Sequence, residues 1–466
     1  MRSPSDVAYD APLVTVGKRF EPPCGAAFAA RGGIWQSAKA EQMMTHEAQD
    51  QASLFDAVYS AYKEFINPPL ARFMKIAGAG IEMEARGVRI YDHTGKAYLD
   101  FCGGYGVFTL GYMHPKVVAA VREQLNHMAL SSRILFNAKT AALAKALADL
   151  APGDLKITFF SNSGTEAVEA ALKLARLSTK RVHIVSTSNG YHGKTMGSLT
   201  ATGRDVFKEK FEPLVPEFEH VPFGDLAALD TALAGAAAFI VEPVQCEGGV
   251  ILPPDGYLRG ARELCSRHGA LFIADEVQTG LGRTGYLWGV DAEGVVPDIM
   301  TVAKGLSGGV IPIGATISRH DVWMSAFGDS PLLHTSTFGG NPLACTAGLA
   351  ALEVLIDEHL VEKSKSQGEY LLEQARALQR RFPEVIASVR GRGLIVGLEL
   401  RHEGYGGVII PESLRLGLTA AYTLNQQRVI RLEPPLIVTR AEIDEAIAIL
   451  AQAVAKAKEK LGALSA

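Results

Sequence analysis

From about residue 100 to residue 345, short apolar runs of strand length alternate with segments that are apolar at helical spacing, and this alternation limits the possible folds sharply. The runs are Ile157-Thr-Phe-Phe160, Val182-His-Ile-Val185, Phe239-Ile-Val241, Leu271-Phe-Ile273 and Ile299-Met-Thr-Val302. Between them lie stretches such as Thr165 to Arg176, whose apolar residues recur with the period of an amphipathic helix. Strand–helix alternation of this kind predicts an α/β fold with a mostly parallel sheet covered on both faces. Residues 101–345 would form this large domain, and residues 346–466 a smaller α/β domain. The smaller domain is expected from a long amphipathic helix over Ala441–Leu461 and short strands near Gly393–Val396 and Val429–Arg431. Residues 1–100 would supply part of the small domain, with a loosely held arm over residues 1 to about 50 and a hairpin between Gly87 and Asp100.

Two of the runs end on ionisable residues. Asp275 follows Ala270-Leu-Phe-Ile-Ala274, and Lys304 follows Asp298-Ile-Met-Thr-Val-Ala303; a glycine-bearing segment comes after each. Taken singly, either residue would be a cap or a surface turn. Together they place a carboxylate and an amine at the same end of one sheet. That combination is what pyridoxal phosphate chemistry requires: a lysine to form the Schiff base and an acid to keep the pyridine nitrogen protonated.

Bulk properties exclude several alternatives. With 466 residues, 48% hydrophobic and 21% charged, the chain has the composition of a globular enzyme with an ample core. A net charge of -4 gives no electrostatic case for a nucleic acid or anionic membrane partner. No run approaches the ~18 apolar residues of a membrane helix, and the N-terminus, with Asp6 and Asp10, lacks the apolar core of a secretory signal. The five cysteines are scattered without metal-ligand spacing, which predicts free thiols, no metal site and a cytoplasmic setting.

Further segments look suited to holding an anion and a flat ring. Phe159-Phe160-Ser-Asn-Ser-Gly-Thr165 runs from a strand into small polar residues at a helix start, where backbone N–H groups and the helix dipole favour negative charge. The same residues would serve equally as an ordinary helix cap. His334-Thr-Ser-Thr-Phe-Gly-Gly-Asn-Pro342 is a second hydroxyl-rich loop before a helix, and Gly190-Tyr-His-Gly193 offers a ring either for stacking or for packing.

Over roughly residues 85 to 440 these blocks resemble the class III (ω-) aminotransferases, pyridoxal phosphate enzymes of fold type I. The most specific stretch is Phe272-Ile-Ala-Asp-Glu-Val-Gln-Thr-Gly-Leu-Gly-Arg-Thr-Gly285 followed by Ala303-Lys-Gly305. Ser163-Gly-Thr-Glu-Ala167, Tyr191-His-Gly193, Val241-Glu-Pro-Val-Gln245 and Ser336-Thr-Phe-Gly-Gly-Asn-Pro342 match in order and spacing. The resemblance implies that Lys304 is the Schiff-base lysine and proton shuttle, and that Asp275 pairs with the pyridinium nitrogen. It further implies that Gln278 bonds the phenolic oxygen, that Tyr191 stacks on the ring with His192 beside it, and that Glu242 lies near the ring. Ser163, Gly164 and Thr165 would hold the phosphate. Thr337 would reach that phosphate from a second copy of the chain, making a homodimer, or a dimer of dimers, the active unit.

For the substrates, the resemblance implies that Arg431 binds the carboxylate of a 2-oxo acid and that Glu247 pairs with it when an ω-amine occupies the site. A plain structural salt bridge is the alternative. Lys194 stands where ornithine and 4-aminobutyrate enzymes often carry an arginine, and Cys246 where the family usually has glycine. Gly103-Gly-Tyr-Gly-Val-Phe108, Val221-Pro-Phe-Gly224 and Gly248-Gly-Val-Ile-Leu-Pro-Pro-Asp-Gly-Tyr257 look like the putrescine (diamine) aminotransferases, with Tyr105 and Phe108 as an apolar wall for a methylene chain. The expected activity is ping-pong transfer of a terminal amino group from a diamine or ω-amino compound to pyruvate or 2-oxoglutarate. Acetylornithine, ornithine, 4-aminobutyrate or β-amino acid donors, or an aminomutase reaction, are the alternatives.

Overall fold

A computed structural model describes residues 51–462, so the arm expected over residues 1 to about 50 lies outside the described residues. The chain divides into two units, residues 1–61 and 62–466. Of the first, the described part is a helix, Gln51–Ala61. The second carries everything below.

Three strands, β1 (Glu82–Arg86), β2 (Arg89–Asp92) and β3 (Ala97–Asp100), form an antiparallel meander. The turn joining β2 and β3 is tied by Asp92, whose Oδ1 accepts from the amides of Thr94 at 2.8 Å and Lys96 at 3.1 Å. The hairpin expected between Gly87 and Asp100 is therefore present.

Strands β4 (Leu155–Ser161), β5 (Ile184–Thr187), β6 (Phe218–Val221), β7 (Ala238–Val241), β8 (Leu271–Asp275), β9 (Ile299–Val302) and β10 (Gly314–Arg319) build a seven-stranded sheet in the order β4-β10-β9-β8-β7-β5-β6. β10 runs antiparallel to both its neighbours, β4 and β9, and the pairs from β9 through β6 are parallel. Every residue of β5, β7 and β9 is buried, as continuous apolar or small runs require when helices cover both faces. The helix Gly164–Thr179 lays Ala167, Val168, Ala171, Leu174 and Ala175 against this sheet. Phe239 and Phe272 meet edge to face at 6.0 Å between centroids, on neighbouring strands.

A third sheet comes from the C-terminal part: β11 (Ile386–Gly391), β12 (Val396–Leu400), β14 (Ala421–Tyr422) and β15 (Val429–Leu432), in the order β11-β12-β15-β14, while β13 (Leu418–Thr419) pairs in parallel with β3. The strand expected at Gly393–Val396 is displaced to β12, because residues 392–395 form the turn from β11. The final helix, Arg440–Leu461, starts at a capping box in which the Thr439 amide donates to Glu442 Oε2 at 2.8 Å and the Glu442 amide to Thr439 Oγ1 at 3.3 Å. The helix Pro342–Asp357 runs across the expected boundary at 345 and packs on helices Pro115–Leu125 and Ala138–Leu150. Among the described residues no helix is long and apolar enough to cross a membrane, no acid, histidine or cysteine cluster could hold a metal, and Cys102, Cys246, Cys265 and Cys345 are free.

Candidate active site

In an open parallel sheet, the crevice beyond the carboxyl ends of the strands is where backbone and side chains converge on a ligand. β7, β8 and β9 lie side by side here and deliver Glu242, Asp275 and Lys304 to that edge. A cavity of about 500 Å³ opens there, lined by these three residues together with Ser163, Gly164, Thr165, Tyr191, His192, Lys194 and Gln278.

Asp275 is held on both oxygens. Its Oδ2 lies 2.6 Å from His192 Nδ1, and its Oδ1 accepts from Thr301 Oγ1 at 3.0 Å and the Val277 amide at 3.2 Å. Thr301 is the register partner of Asp275 across β8 and β9, so strand pairing sets this contact. Burial pushes His192 toward the neutral form, but its hydrogen bond to Asp275 and the charges of Asp275 and Glu242 outweigh that and hold its pKa above the ordinary range. Glu242 accepts from the Tyr191 amide at 2.8 Å and the Cys246 amide at 3.3 Å. Burial raises its pKa to about 7, with Asp275 adding to the rise and His192 opposing it.

Lys304 opens a short 3₁₀ turn at φ +45°, in the left-handed region. That conformation costs a side-chain-bearing residue roughly 1–2 kcal/mol and persists where the surroundings over-determine it. Its Nζ donates to Gln278 Oε1. The Gln278 amide nitrogen in turn donates to Glu433, at 2.9 Å to Oε2 and 3.2 Å to Oε1.

The anion cradle sits at the start of the Gly164–Thr179 helix. Ser163 is the cap, its Oγ accepting from the Glu166 amide at 3.4 Å, while the Gly164 and Thr165 amides, at the first turn, have no carbonyl within the helix to bond. Thr165 Oγ1 lies 2.8 Å from Thr195 Oγ1 and 2.6 Å from Ser198 Oγ, a hydroxyl cluster not anticipated from the sequence.

Arg431 and Glu247 form a buried pair at 2.6 Å that does not itself line the cavity. Desolvation opposes the charge on Arg431, but Glu433 and Glu247 more than offset it and raise its pKa. Burial likewise opposes charge on Glu247, and Arg431 and Lys304 bring its pKa below the ordinary value. Tyr105 is half exposed, with its ring 5.7 Å from the Arg431 guanidinium. Phe108 is not among the cavity-lining residues; its ring packs on Tyr112 at 3.9 Å between centroids. Lys194 lines the cavity, and its ammonium rests over the Phe207 ring at 4.5 Å. Thr337 is exposed and away from the cavity of its own chain.

Glu433 and Arg283, both fully buried, are the charged residues that sequence reasoning passed over. The signal was available: an acid directly after the strand run Val429-Ile-Arg-Leu432, and an arginine among glycines in Gly282-Arg-Thr-Gly285.

These donors fit pyridoxal phosphate. The cavity brings together the amides and hydroxyls of a helix start, suited to a phosphate, a buried carboxylate already oriented by three bonds, and a primary amine. The aminotransferase class-III family profile matches residues 79–454. An ornithine aminotransferase from Toxoplasma gondii superposes with a TM-score of 0.82 at 30% identity, covering 91% of this chain and 99% of its own. A transaminase from the marine bacterium Virgibacillus gives 0.81 at 29% identity, over 88% of this chain and 100% of its own. An amine transaminase from an uncultivated Pseudomonas species, in a pyridoxal phosphate-bound form, gives 0.75 at 31% identity, over 81% and 95%. The chain belongs to the class-III aminotransferases, pyridoxal phosphate-dependent enzymes that pass an amino group from an amine donor to an oxo acid acceptor.

Proposed function

We propose that this enzyme moves the terminal amino group of a diamine or ω-amino compound, putrescine-like in length, to pyruvate or 2-oxoglutarate in two half-reactions. The observation that carries the reading is the closed Arg431–Glu247 pair, 2.6 Å apart and buried. With its charge cancelled, Arg431 makes no demand for a carboxylate, so an uncharged methylene chain is accommodated in the first half-reaction. In the second, the oxo acid's carboxylate replaces Glu247 on the guanidinium fork. Lys194, engaged with Phe207, supports the reading, since a donor carrying a distal carboxylate would want that cation free.

Pyridoxal phosphate, when bound, supplies an electron sink for the carbanion formed at the donor's amine carbon. Ser163, Gly164 and Thr165 would hold its phosphate, and Tyr191 would lie against its ring. Asp275, steadied by His192 and Thr301, would keep the ring nitrogen protonated. Gln278 would bond the phenolic oxygen, and Lys304, which donates to Gln278, would take up and give back the proton of the donor's amine carbon. Glu242 ties the Tyr191 turn to the Cys246 amide, beside the ring.

Thr337 reaches the phosphate from a second copy of the chain. In support, Thr337 is flanked by exposed Leu332, Leu333 and Phe338, and Ile134, Leu135 and Phe136 are exposed nearby, where Arg133 donates to the Gly339 carbonyl. An apolar patch of this kind is normally covered by a partner surface.

The test is to mix the holoenzyme with putrescine, cadaverine, 4-aminobutyrate, β-alanine, ornithine and acetylornithine, following the visible absorbance of the lysine-bound cofactor. Diamines should discharge it fastest. A response confined to the carboxylate-bearing donors would overturn the diamine assignment.

A further inference from the structure

The buried carboxylate of Glu433 is in contact with both halves of the site. Its Oε2 lies 3.0 Å from Arg431 Nε, and its two oxygens accept from the Gln278 amide nitrogen at 2.9 and 3.2 Å. Gln278 Oε1 accepts from Lys304 Nζ, so a continuous chain of one ion pair and two hydrogen-bonded links runs from the arginine to the lysine. We propose that Glu433 is a positioning residue for both half-reactions, fixing which edge of Arg431 meets the acceptor's carboxylate and which end of the Gln278 amide faces Lys304. The inference rests on the reading that Arg431 receives the oxo acid.

Arg431 presents three nitrogens. Nη1 is taken by Glu247, Nε by Glu433, and Nη2 is buried with no hydrogen-bond partner among the described residues. When a carboxylate replaces Glu247, Nη1 and Nη2 together form a two-donor end for it. The Nε side of the fork stays closed by Glu433. At Gln278 the logic is that of donors and acceptors. An ionised carboxylate only accepts, so the amide must turn its nitrogen toward Glu433 and its oxygen toward Lys304.

The chain around Glu433 is shaped to admit it. Gly103, Gly104, Tyr105 and Gly106 all have positive φ, between +58° and +91°. A Cβ on Gly106 would lie 2.7 Å from Glu433 Oε1, and one on Gly103 would strike the Glu433 carbonyl. The left-handed turn that carries Tyr105 thus wraps the residue after β15. Arg283, behind Glu433 and outside the cavity, has its Nε 3.6 Å from Oε1 and bonds the Leu394 carbonyl at 2.9 Å. The rival account is that Glu433 does no more than balance Arg283.

The two accounts separate in a crossed double-mutant cycle on the holoenzyme, with donor and acceptor half-reactions timed separately. E433Q keeps the size and removes the charge. It should raise the half-saturating oxo acid concentration about tenfold and slow the donor step by a similar factor, the scale of losing a hydrogen bond to a charged group. In an R431A background E433Q should no longer affect the oxo acid but should still slow the donor step. In a Q278A background the pattern should reverse. Effects equal in every background, or both half-reactions within about twofold of wild type, overturn the inference. R283M, which leaves Glu433 in place, should lower the melting temperature, since it uncovers a buried charge, but should keep the acceptor constant within about threefold; if it reproduces E433Q, Glu433 serves only as counter-ion and the proposal falls. Should E433Q lose its fold, E433Q/R283M removes both charges and goes through the same cycle, and its failure to show the crossed pattern counts against the proposal. If R431A alone leaves oxo acid use unchanged, what fails is the assignment of Arg431.

Discussion

Gly193→Ala is predicted to damage the phosphate cradle without touching any group that contacts the substrate. Gly193 has φ +132°, a region in which a side chain costs roughly 1–3 kcal/mol. Its added Cβ would lie 2.6 Å from Ser198 Oγ and 2.7 Å from Thr165 Cβ, and closer still to Thr165 Oγ1. Relief requires Thr165 to move away from Ser198, breaking a hydroxyl bond worth about 1 kcal/mol. The total, about 2–4 kcal/mol, falls on the residue whose amide and hydroxyl open the helix. If half of it appears as lost cofactor binding, affinity for pyridoxal phosphate drops roughly 5- to 30-fold. The assay is titration of cofactor-free protein, followed by absorbance, with melting temperature recorded with and without cofactor. Adding Ser198→Ala removes one of the close contacts but neither the Thr165 one nor the backbone cost, so it should restore only part of the affinity. Cofactor binding within about twofold of wild type at an unchanged melting temperature would refute the reasoning. Full recovery in the double variant would show that the backbone conformation matters less than argued.

Lys304→Ala should retain cofactor but lose turnover and any borohydride-reducible link to protein; persistent turnover would remove Lys304 from the mechanism. Asp275→Asn should lower the pKa of His192, because burial then acts without the opposing hydrogen bond and charge, and should cut turnover by ~10²-fold, about 2.7 kcal/mol. An NMR titration of His192 unmoved by the change would contradict the pairing. Glu242, with its folded pKa raised to about 7 against 4.5, binds its proton more tightly when folded. Its contribution, up to ~3 kcal/mol, is present below pH 4.5 and is lost as pH rises to about 7. Glu242→Gln should therefore flatten the fall in melting temperature between those values, and parallel curves would count against it.

What the sequence made legible follows from how local each signal is. β7, β8 and β9 are buried on both faces or nearly so, β4 is a half-buried edge strand, and the apolar runs of all four lie within a residue or two of the observed strands. β5 begins at Ile184 rather than Val182, since Arg181 to His183 form the approach from the preceding helix. β10 escaped notice because Gly314-Ala-Thr-Ile-Ser-Arg319 is small or polar at every position but Ile317, and its burial comes from antiparallel neighbours that no local pattern announces. The same division holds in the site. Asp275, Lys304 and Ser163 could be read because each lies at, or two residues beyond, the end of a strand. Thr195 and Ser198 could not, since their contact with Thr165 depends on where a separate helix start lands. Phe108 reads as a substrate wall in a flat sequence, whereas the left-handed turn at Gly103–Gly106 sends its ring onto Tyr112.

The placement of charge explains why chemistry and substrate choice are separable in this molecule. The seven-stranded sheet supplies Glu242, Asp275 and Lys304 from adjacent strand ends, whereas Arg431 comes from β15 of the four-stranded C-terminal sheet and Glu433 from the residue just after it. Buried ions are tolerated only in compensated sets, and removing one partner of such a pair costs about 3–5 kcal/mol. Arg431, Arg283, Glu247 and Glu433 are such a set, two cations against two carboxylates, all nearly or wholly inaccessible. On the proposed reading, a substrate carboxylate that takes the place of Glu247 keeps Arg431 paired, while Glu247 retains the Leu424 amide as its donor at 2.8 Å. Gln278, bonded to Lys304 on one side and Glu433 on the other, is the neutral joint between the two groups. A neutral amide transmits position without transferring charge, so on the proposed reading changes near the C-terminal sheet would alter which substrate is accepted while the strand-end residues keep the same reaction.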